Sequence, residues 1–169
     1  MSKERKYWEP DIETLPLDKL KKLQEEELQQ VVTHAYKRTK LYQRKFDQAG
    51  VKPEDIKTLD DLSKLPFTDY VEDFCQTSLE EKLAVPLEDV KQVCSTSGTI
   101  SGFSQPVCFS QRDAERCCIN SLARMFWTMG VRPNDSVQCL SNFTCMQLGI
   151  KALGAQALMY QAGRGNIDY

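Results

Sequence analysis

Residues 90–109 read VKQVCSTSGTISGFSQPVCF, and in this stretch the chain changes from helical to strand patterns. The apolar runs Val90 to Cys94 and Pro106 to Phe109 are short and bounded by turn residues, which predicts two strands. Residues 95–106 lie between them and hold four serines, two threonines and two glycines, with no lysine or arginine. The sequence therefore predicts a strand, a hydroxyl-rich loop and a second strand.

Downstream of this hairpin, helix and strand patterns alternate. A helix is predicted from Ser110 to Met129, where Gly130 and Pro133 end it. A strand at 137–140, a helix from about 145 to 153 and a strand at 155–160 follow. This order predicts an α/β fold, with part of a mostly parallel sheet and covering helices.

Upstream, residues 1–88 have mainly helical patterns. One apolar stripe runs along it at spacings of three to five residues, through Leu20, Leu23, Leu28, Val31, Ala35 and Thr39. Short helical turns follow, punctuated by Pro53 and Pro66. We predict a helical N-terminal segment over 1–88 and the start of an α/β subdomain over 89–169. We expect that subdomain to be incomplete at its C-terminal end, because no covering helix follows the last strand.

Composition excludes several classes of function. The formal net charge is -2, so nucleic-acid binding has no electrostatic footprint. No apolar run approaches a membrane span, and the first residues lack the apolar stretch of a secretory signal, so we expect a cytoplasmic protein. The seven cysteines include no C-x-x-C pair and are interpreted as small apolar residues rather than metal ligands. The single histidine, His34, is predicted to be a solvated helix residue.

The loop at 95–106 has the parts of an anion site. Glycines let the backbone approach an oxyanion closely, and backbone N–H groups with short hydroxyl side chains donate hydrogen bonds to it. The sequence is not a Walker loop, because it lacks the G-K-[ST] that opens a helix. By composition alone, a phosphate loop and a plain polar turn both remain open.

The order of several segments resembles a known family. Thr96 to Thr99 (TSGT), followed by Gly102 and Pro106, is similar to the phosphate-binding signature [ST]-S-G-T-T-G-x-P of adenylate-forming enzymes. Four further segments resemble the phenylacetate-CoA ligase group in spacing and character: residues 34–68, 85–90, 129–135 and 151–163. The chain is thus identified as resembling the N-terminal portion of that group, within the large domain of an adenylate-forming enzyme. The resemblance implies that residues 89–169 are the start of the AMP-binding subdomain, with residues 95–106 as its phosphate loop.

This resemblance implies a two-step reaction. A carboxylic acid, aromatic or other, attacks the α-phosphate of ATP with Mg²⁺ assisting, and coenzyme A then displaces AMP to give a thioester. The resemblance assigns seven residues to the phosphate loop: Ser95, Thr96, Ser97, Gly98, Thr99, Ser101 and Gly102. It also assigns Asn142 and Phe143 to the start of the acyl pocket, although a loop aromatic packed on the core is the competing interpretation. It identifies no catalytic residue and no metal ligand.

Two departures from the family pattern leave alternatives open. Ile100 stands where a second threonine is usual, and the loop lacks the common basic residue. Family members are also well over twice this length, so we expect the 169-residue chain alone not to catalyse adenylation. The alternatives are an adenylating relative that makes no thioester, and a non-catalytic module that binds a partner or a second copy of itself as a homodimer.

Overall fold

The computed structural model describes residues 5–100, 102–139 and 144–159. In chain order its α-helices are α1 (Pro10–Glu13), α2 (Leu17–Arg38), α3 (Lys40–Ala49), α4 (Leu79–Lys82), α5 (Gln111–Asp113), α6 (Ser121–Thr128) and α7 (Thr144–Ala152). The strands are β1 (Val90–Ser95), β2 (Pro106–Ser110), β3 (Ser136–Cys139) and β4 (Gln156–Met159). Short 3-10 turns lie at Pro53–Asp55, Leu59–Lys64 and Leu87–Asp89, and π-helical turns at Tyr70–Cys75 and Ala114–Asn120. The predicted α/β class is confirmed.

Internal contacts divide the chain into two compact units. One runs from residue 15 to 111 and contains the hydroxyl-rich loop; the other combines the first 14 residues with those from 112 onward. The contacts therefore group the loop with the helices that precede it. The boundary predicted from the sequence lies between residues 88 and 89. Contact grouping does not test that boundary, which stays a prediction.

In the unit of residues 15–111, α2 and α3 are separate helices. The apolar stripe predicted one helix up to Thr39, but Thr39 adopts an extended conformation and begins α3 by accepting a hydrogen bond from the Tyr42 N–H at 3.4 Å. Gly50 ends α3 with a positive φ of 67°. The apolar faces enclose a core of Val32, Phe46 and Ile56. Threonine favours a helix start because its hydroxyl competes with the backbone for hydrogen bonds.

In the other unit, β3 and β4 pair in parallel, with Ser136 opposite Gln156 and Cys139 opposite Met159. The helices α6 and α7 pack with these strands around a core of Ala123, Phe126, Trp127, Cys139, Ile150, Leu153 and Ala155. The parallel pairing and the crossover helix α7 agree with the predicted strand, helix, strand order. None of the helices in the described ranges is long and apolar enough to cross a bilayer.

Residues near the start of the chain pack on the core of the unit that contains β3 and β4. Trp8 packs against Trp127 with ring centroids 5.9 Å apart, and the Trp127 Nε1–H donates to the Lys6 carbonyl at 3.1 Å. Arg124 forms ion pairs with both Glu9 and Glu13. Residues at the start of the chain are therefore anchored on helix α6, a contact that the sequence patterns did not predict.

Candidate phosphate-binding loop

Strands β1 and β2 form an antiparallel hairpin, with Val93 opposite Cys108 and Ser95 opposite Pro106. Both strands were predicted within one residue of their observed ends, but the prediction of a mostly parallel sheet did not specify this pairing. A short connection forces it, since neighbouring strands joined by a loop of this length run antiparallel, whereas a parallel pair needs a crossover of a dozen or more residues. The hairpin thus presents residues 96–105 as one closed loop.

Thr96 and Gln105 close the base of the loop. The Thr96 N–H donates to the Gln105 carbonyl at 3.0 Å, and the Gln105 N–H donates to the Thr96 Oγ1 at 2.9 Å. Gln105 is only 6% exposed, which makes it one of the few buried polar residues. The hydroxyl oxygen of Thr96, one of the predicted site residues, is therefore already an acceptor within the loop.

Two glycines shape the turn. Gly98 and Gly102 have φ values of 75° and 77°, and the Gly102 N–H donates to the Gly98 carbonyl at 2.9 Å. A Cβ at Gly98 would lie 2.8 Å from the Phe103 backbone carbon and 3.0 Å from the Ser104 nitrogen. Glycine is required at Gly98 both by conformation and by space, because the chain folds back directly over it.

The tip of the loop, residues 97–99, carries several hydrogen-bond donors. Ser97 Oγ and Thr99 Oγ1 lie 2.9 Å apart and both residues are exposed. In the part of the chain that the structure describes, the N–H groups of Ser97, Gly98 and Thr99 donate to no protein acceptor. Successive free N–H groups beside short hydroxyls are the chemistry that protein loops use to bind oxyanions.

The remaining predicted site residues divide into two groups. Ser95 ends β1 and is exposed at the entrance to the loop, and Gly102 lies in the turn. Ser101, Asn142 and Phe143 lie outside the described residues. The structure thus brings together Ser95, Thr96, Ser97, Gly98, Thr99 and Gly102.

Residues distant in sequence contact the two residues that close the base of the loop. Tyr70 places its hydroxyl 3.5 Å from Thr96 Oγ1. Lys82, the last residue of α4, donates from Nζ to the Phe74 carbonyl at 3.1 Å and to Gln105 Oε1 at 3.4 Å. None of Tyr70, Lys82 and Gln105 was predicted as a site residue, although Gln105 lies within the loop at 95–106. No local signal identifies Tyr70 or Lys82, because their partners lie 26 and 23 residues away.

The turn that carries Tyr70 is fixed by charge. Asp69 caps it by accepting from the N–H groups of Val71 and Glu72, each at 2.8 Å. The ammonium group of Lys45 bonds to the Asp73 carboxylate and, with the Asp69 N–H, holds the pKa of that carboxyl below its usual value. Charge-assisted bonds of this kind stabilise the turn geometry.

The described part of the chain has no cluster of three or more His, Cys, Asp or Glu residues that could hold a metal ion. Of its cysteines, Cys139 is buried, while Cys75, Cys94 and Cys108 are partly buried and free. The loop itself offers N–H and hydroxyl groups, which are hydrogen-bond donors to an anion.

Solved structures similar to this chain include a CoA ligase. A 2-hydroxyisobutyryl-CoA ligase in an open conformation with 2-HIB-AMP and CoA is 27% identical over 95% of this chain and 39% of its own, with a TM-score of 0.81. The same enzyme in the thioesterification state is 28% identical, with a TM-score of 0.81 over 97% of this chain and 36% of its own. The chain therefore has the fold of part of an adenylate-forming CoA ligase, and it spans less than half the length of these structures.

Curated relatives point to one group of CoA ligases within this class. Phenylacetate-coenzyme A ligase from Escherichia coli is 34% identical over 148 residues, which are 87% of this chain and 33% of that protein. The Thermus thermophilus enzyme is 36% identical over 131 residues, 75% of this chain and 28% of its own. No family model matches. The chain is homologous to the N-terminal portion of phenylacetate-CoA ligases, as the sequence predicted, and it spans about a third of the length of the curated relatives it matches.

Proposed function

We propose that this chain is the phosphate-binding portion of an ATP-dependent carboxylic acid–CoA ligase. The observation that carries the proposal is the loop tip, where the N–H groups of Ser97, Gly98 and Thr99 stand beside two hydroxyls. Its support is the similarity to ligases that bind an adenylate and CoA. In this proposal the loop holds the β- and γ-phosphates of ATP, the nucleotide brings Mg²⁺, and residues 89–169 begin the nucleotide-binding subdomain.

The loop would contribute positioning and charge stabilisation. An acid carboxylate attacks the α-phosphate and pyrophosphate leaves, so negative charge moves toward the β- and γ-phosphates during the step. Fixed N–H donors stabilise that charge without reorganising. The thiol of CoA then displaces AMP. Asn142 and Phe143 are proposed to begin the pocket for the acid, and Ser101 to add a hydroxyl to the loop.

Binding of MgATP to the chain, measured by isothermal titration calorimetry, tests the proposal. We expect micromolar binding for MgATP and much weaker binding for adenosine, which lacks the phosphates. The double variant Ser97→Ala, Thr99→Ala should bind MgATP at least about tenfold more weakly, because even one lost hydrogen bond to a charged group costs about 1.5–3 kcal/mol and about 1.4 kcal/mol is a factor of ten in affinity. Ser63→Ala, an exposed serine in another turn, is the matched control. Equal binding of adenosine and MgATP would contradict a phosphate loop.

Turnover is a separate measurement. We propose that the 169-residue chain binds nucleotide without completing the reaction, since its relatives are about three times as long. AMP release with a panel of carboxylic acids, with and without CoA, checks this. AMP release that does not depend on CoA, with no thioester formed, would favour an adenylating relative instead of a thioester-forming ligase.

One observation favours a second candidate, a module for self-association. Ile100 and Phe103, three residues apart in the loop, are 74% and 57% exposed. Exposed apolar side chains in one loop offer a surface for contact with another protein chain. Sedimentation velocity separates the two candidates. A homodimer that dissociates in the double variant Ile100→Ser, Phe103→Ser, combined with no binding of MgATP, would support association over nucleotide binding.

A further inference from the structure

The loop contains no cation of its own. Between Lys91 and Arg112 the sequence has no lysine or arginine. A triphosphate bound by N–H groups and hydroxyls alone would lack the charge-assisted bonds that make phosphate binding strong. A cation from elsewhere in the fold would compensate for this absence.

Lys82 is the cation that the fold brings to the loop. Its side chain is half-buried, and its Nζ lies 3.4 Å from the Oε1 of the buried Gln105 and 4.4 Å from the centre of the Phe74 ring. Gln105 is in turn bonded through its backbone to Thr96. Lys82 thus contacts one member of the pair that closes the loop.

The charge of Lys82 is not neutralised by a direct partner. Seven other lysines and arginines form ion pairs: Lys21, Lys22, Arg44, Lys45, Lys52, Lys64 and Arg124. Lys82 instead donates to a carbonyl and an amide oxygen, and over the described residues no carboxylate lies within ion-pair distance of it. In a partly desolvated site an uncompensated cation acts on a nearby anion with little screening.

We propose that Lys82 is a positioning residue for the phosphate loop: through Gln105 it fixes the loop base and supplies the positive potential that the loop sequence lacks. This inference rests on the proposed function, because it assumes that the loop binds the phosphates of ATP. The ligand chemistry is a polyphosphate anion. Lys82 favours its binding by orienting Gln105 at the base of the loop and by placing a positive charge beside it.

The test compares charge variants by titration with MgATP over a range of salt concentrations. Lys82→Gln should weaken binding roughly tenfold, the loss expected when one charge-assisted contribution to phosphate binding disappears. It should also flatten the dependence of affinity on salt. Lys82→Arg keeps the charge and should restore most of the affinity. Lys91→Gln is the matched control, because it removes an equal charge from an exposed position of strand β1. Lys91 Nζ donates to the Glu88 carbonyl, and its loss should change the affinity for MgATP little.

A second variant leaves Lys82 in place. Gln105→Glu sets a carboxylate of nearly the same shape beside the ammonium group and should weaken MgATP binding as Lys82→Gln does. Far-UV circular dichroism establishes that each variant is folded. If Lys82→Gln and Gln105→Glu both bind MgATP with the affinity and salt dependence of the wild type, the role of Lys82 is overturned while the proposed function stands. Absence of MgATP binding by the wild-type chain would instead overturn the proposed function.

Discussion

Thr96 and Gln105 bond to each other twice across the base of the loop, with each residue donating its backbone N–H to an oxygen of the other. The pair continues the β1–β2 ladder by one step beyond Ser95 and Pro106. One of the two acceptors is a side chain, so the loop geometry depends on the identity of residue 96 and not only on the backbone.

Removing that side-chain acceptor should loosen the loop. Thr96→Val keeps the shape of the side chain but leaves the N–H of the buried Gln105 without its acceptor, which costs about 1–3 kcal/mol of unfolding free energy. Urea denaturation measures the loss, and hydrogen exchange at the Gln105 amide should accelerate. Thr99→Val removes an exposed hydroxyl and should cost less than about 0.5 kcal/mol. Equal effects of the two substitutions would contradict the assigned role of Thr96.

The two loop glycines should respond differently to alanine. Both have positive φ values, so each substitution carries a conformational cost of about 1 kcal/mol. Only Gly98→Ala also drives a Cβ into backbone, at 2.8 Å from Phe103, whereas nothing lies within 4 Å of a Cβ at Gly102. We expect Gly98→Ala to shift the amide NMR signals of residues 96–105 and to destabilise the chain more than Gly102→Ala in urea. A larger effect at Gly102 would show that the chain does not fold back over Gly98.

Gly149 permits the close approach of α7 to α6. A Cβ there would lie 2.4 Å from Leu122 Cβ and 2.9 Å from the Leu122 backbone carbon. Gly149→Ala should therefore destabilise the unit that contains β3 and β4 by about 1–3 kcal/mol through overpacking. Thermal unfolding followed by near-UV circular dichroism reports the change through Trp8 and Trp127. Lys151→Ala, on an exposed position of the same helix, should leave the transition almost unchanged.

The contact between Lys45 and Asp73 predicts a pH dependence. The pKa of Asp73 is lowered from its usual value of 3.8, first by the bond from Lys45 and then by the Asp69 N–H. A depressed folded-state pKa adds stability that is fully present above the unfolded-state pKa and is lost as the pH falls through the folded-state value. Asp73→Asn should therefore be less stable than the wild type at pH 7, and the difference should shrink progressively below about pH 4.

Urea denaturation at a series of pH values measures this convergence. Asp60→Asn, an exposed carboxylate in a 3-10 turn, serves as the control for removing a negative charge. A difference between wild type and Asp73→Asn that stays constant from pH 7 to pH 2 would contradict the assigned cause.

Local patterns in the sequence determined most of the elements. The four strands and helix α7 were predicted close to their observed ends, because apolar alternation, glycine stops and proline positions act over a few residues. The order of motifs also identified the homologous ligase group and singled out the loop. The break between α2 and α3 at Thr39 was not predicted, because Thr39 also continues the apolar stripe and its place in that stripe suited a continuous helix.

Only the tertiary structure decided which distant residues meet. The antiparallel pairing of β1 with β2, the anchoring of Trp8 on Trp127, and the approach of Tyr70 and Lys82 to the loop join residues that share no local pattern. Helical and strand periodicities specify which face of an element is buried, not which element covers it. That choice depends on side-chain packing and on the pairing of buried polar groups over the whole chain, and for this reason the loop could be predicted from the sequence while its support could not.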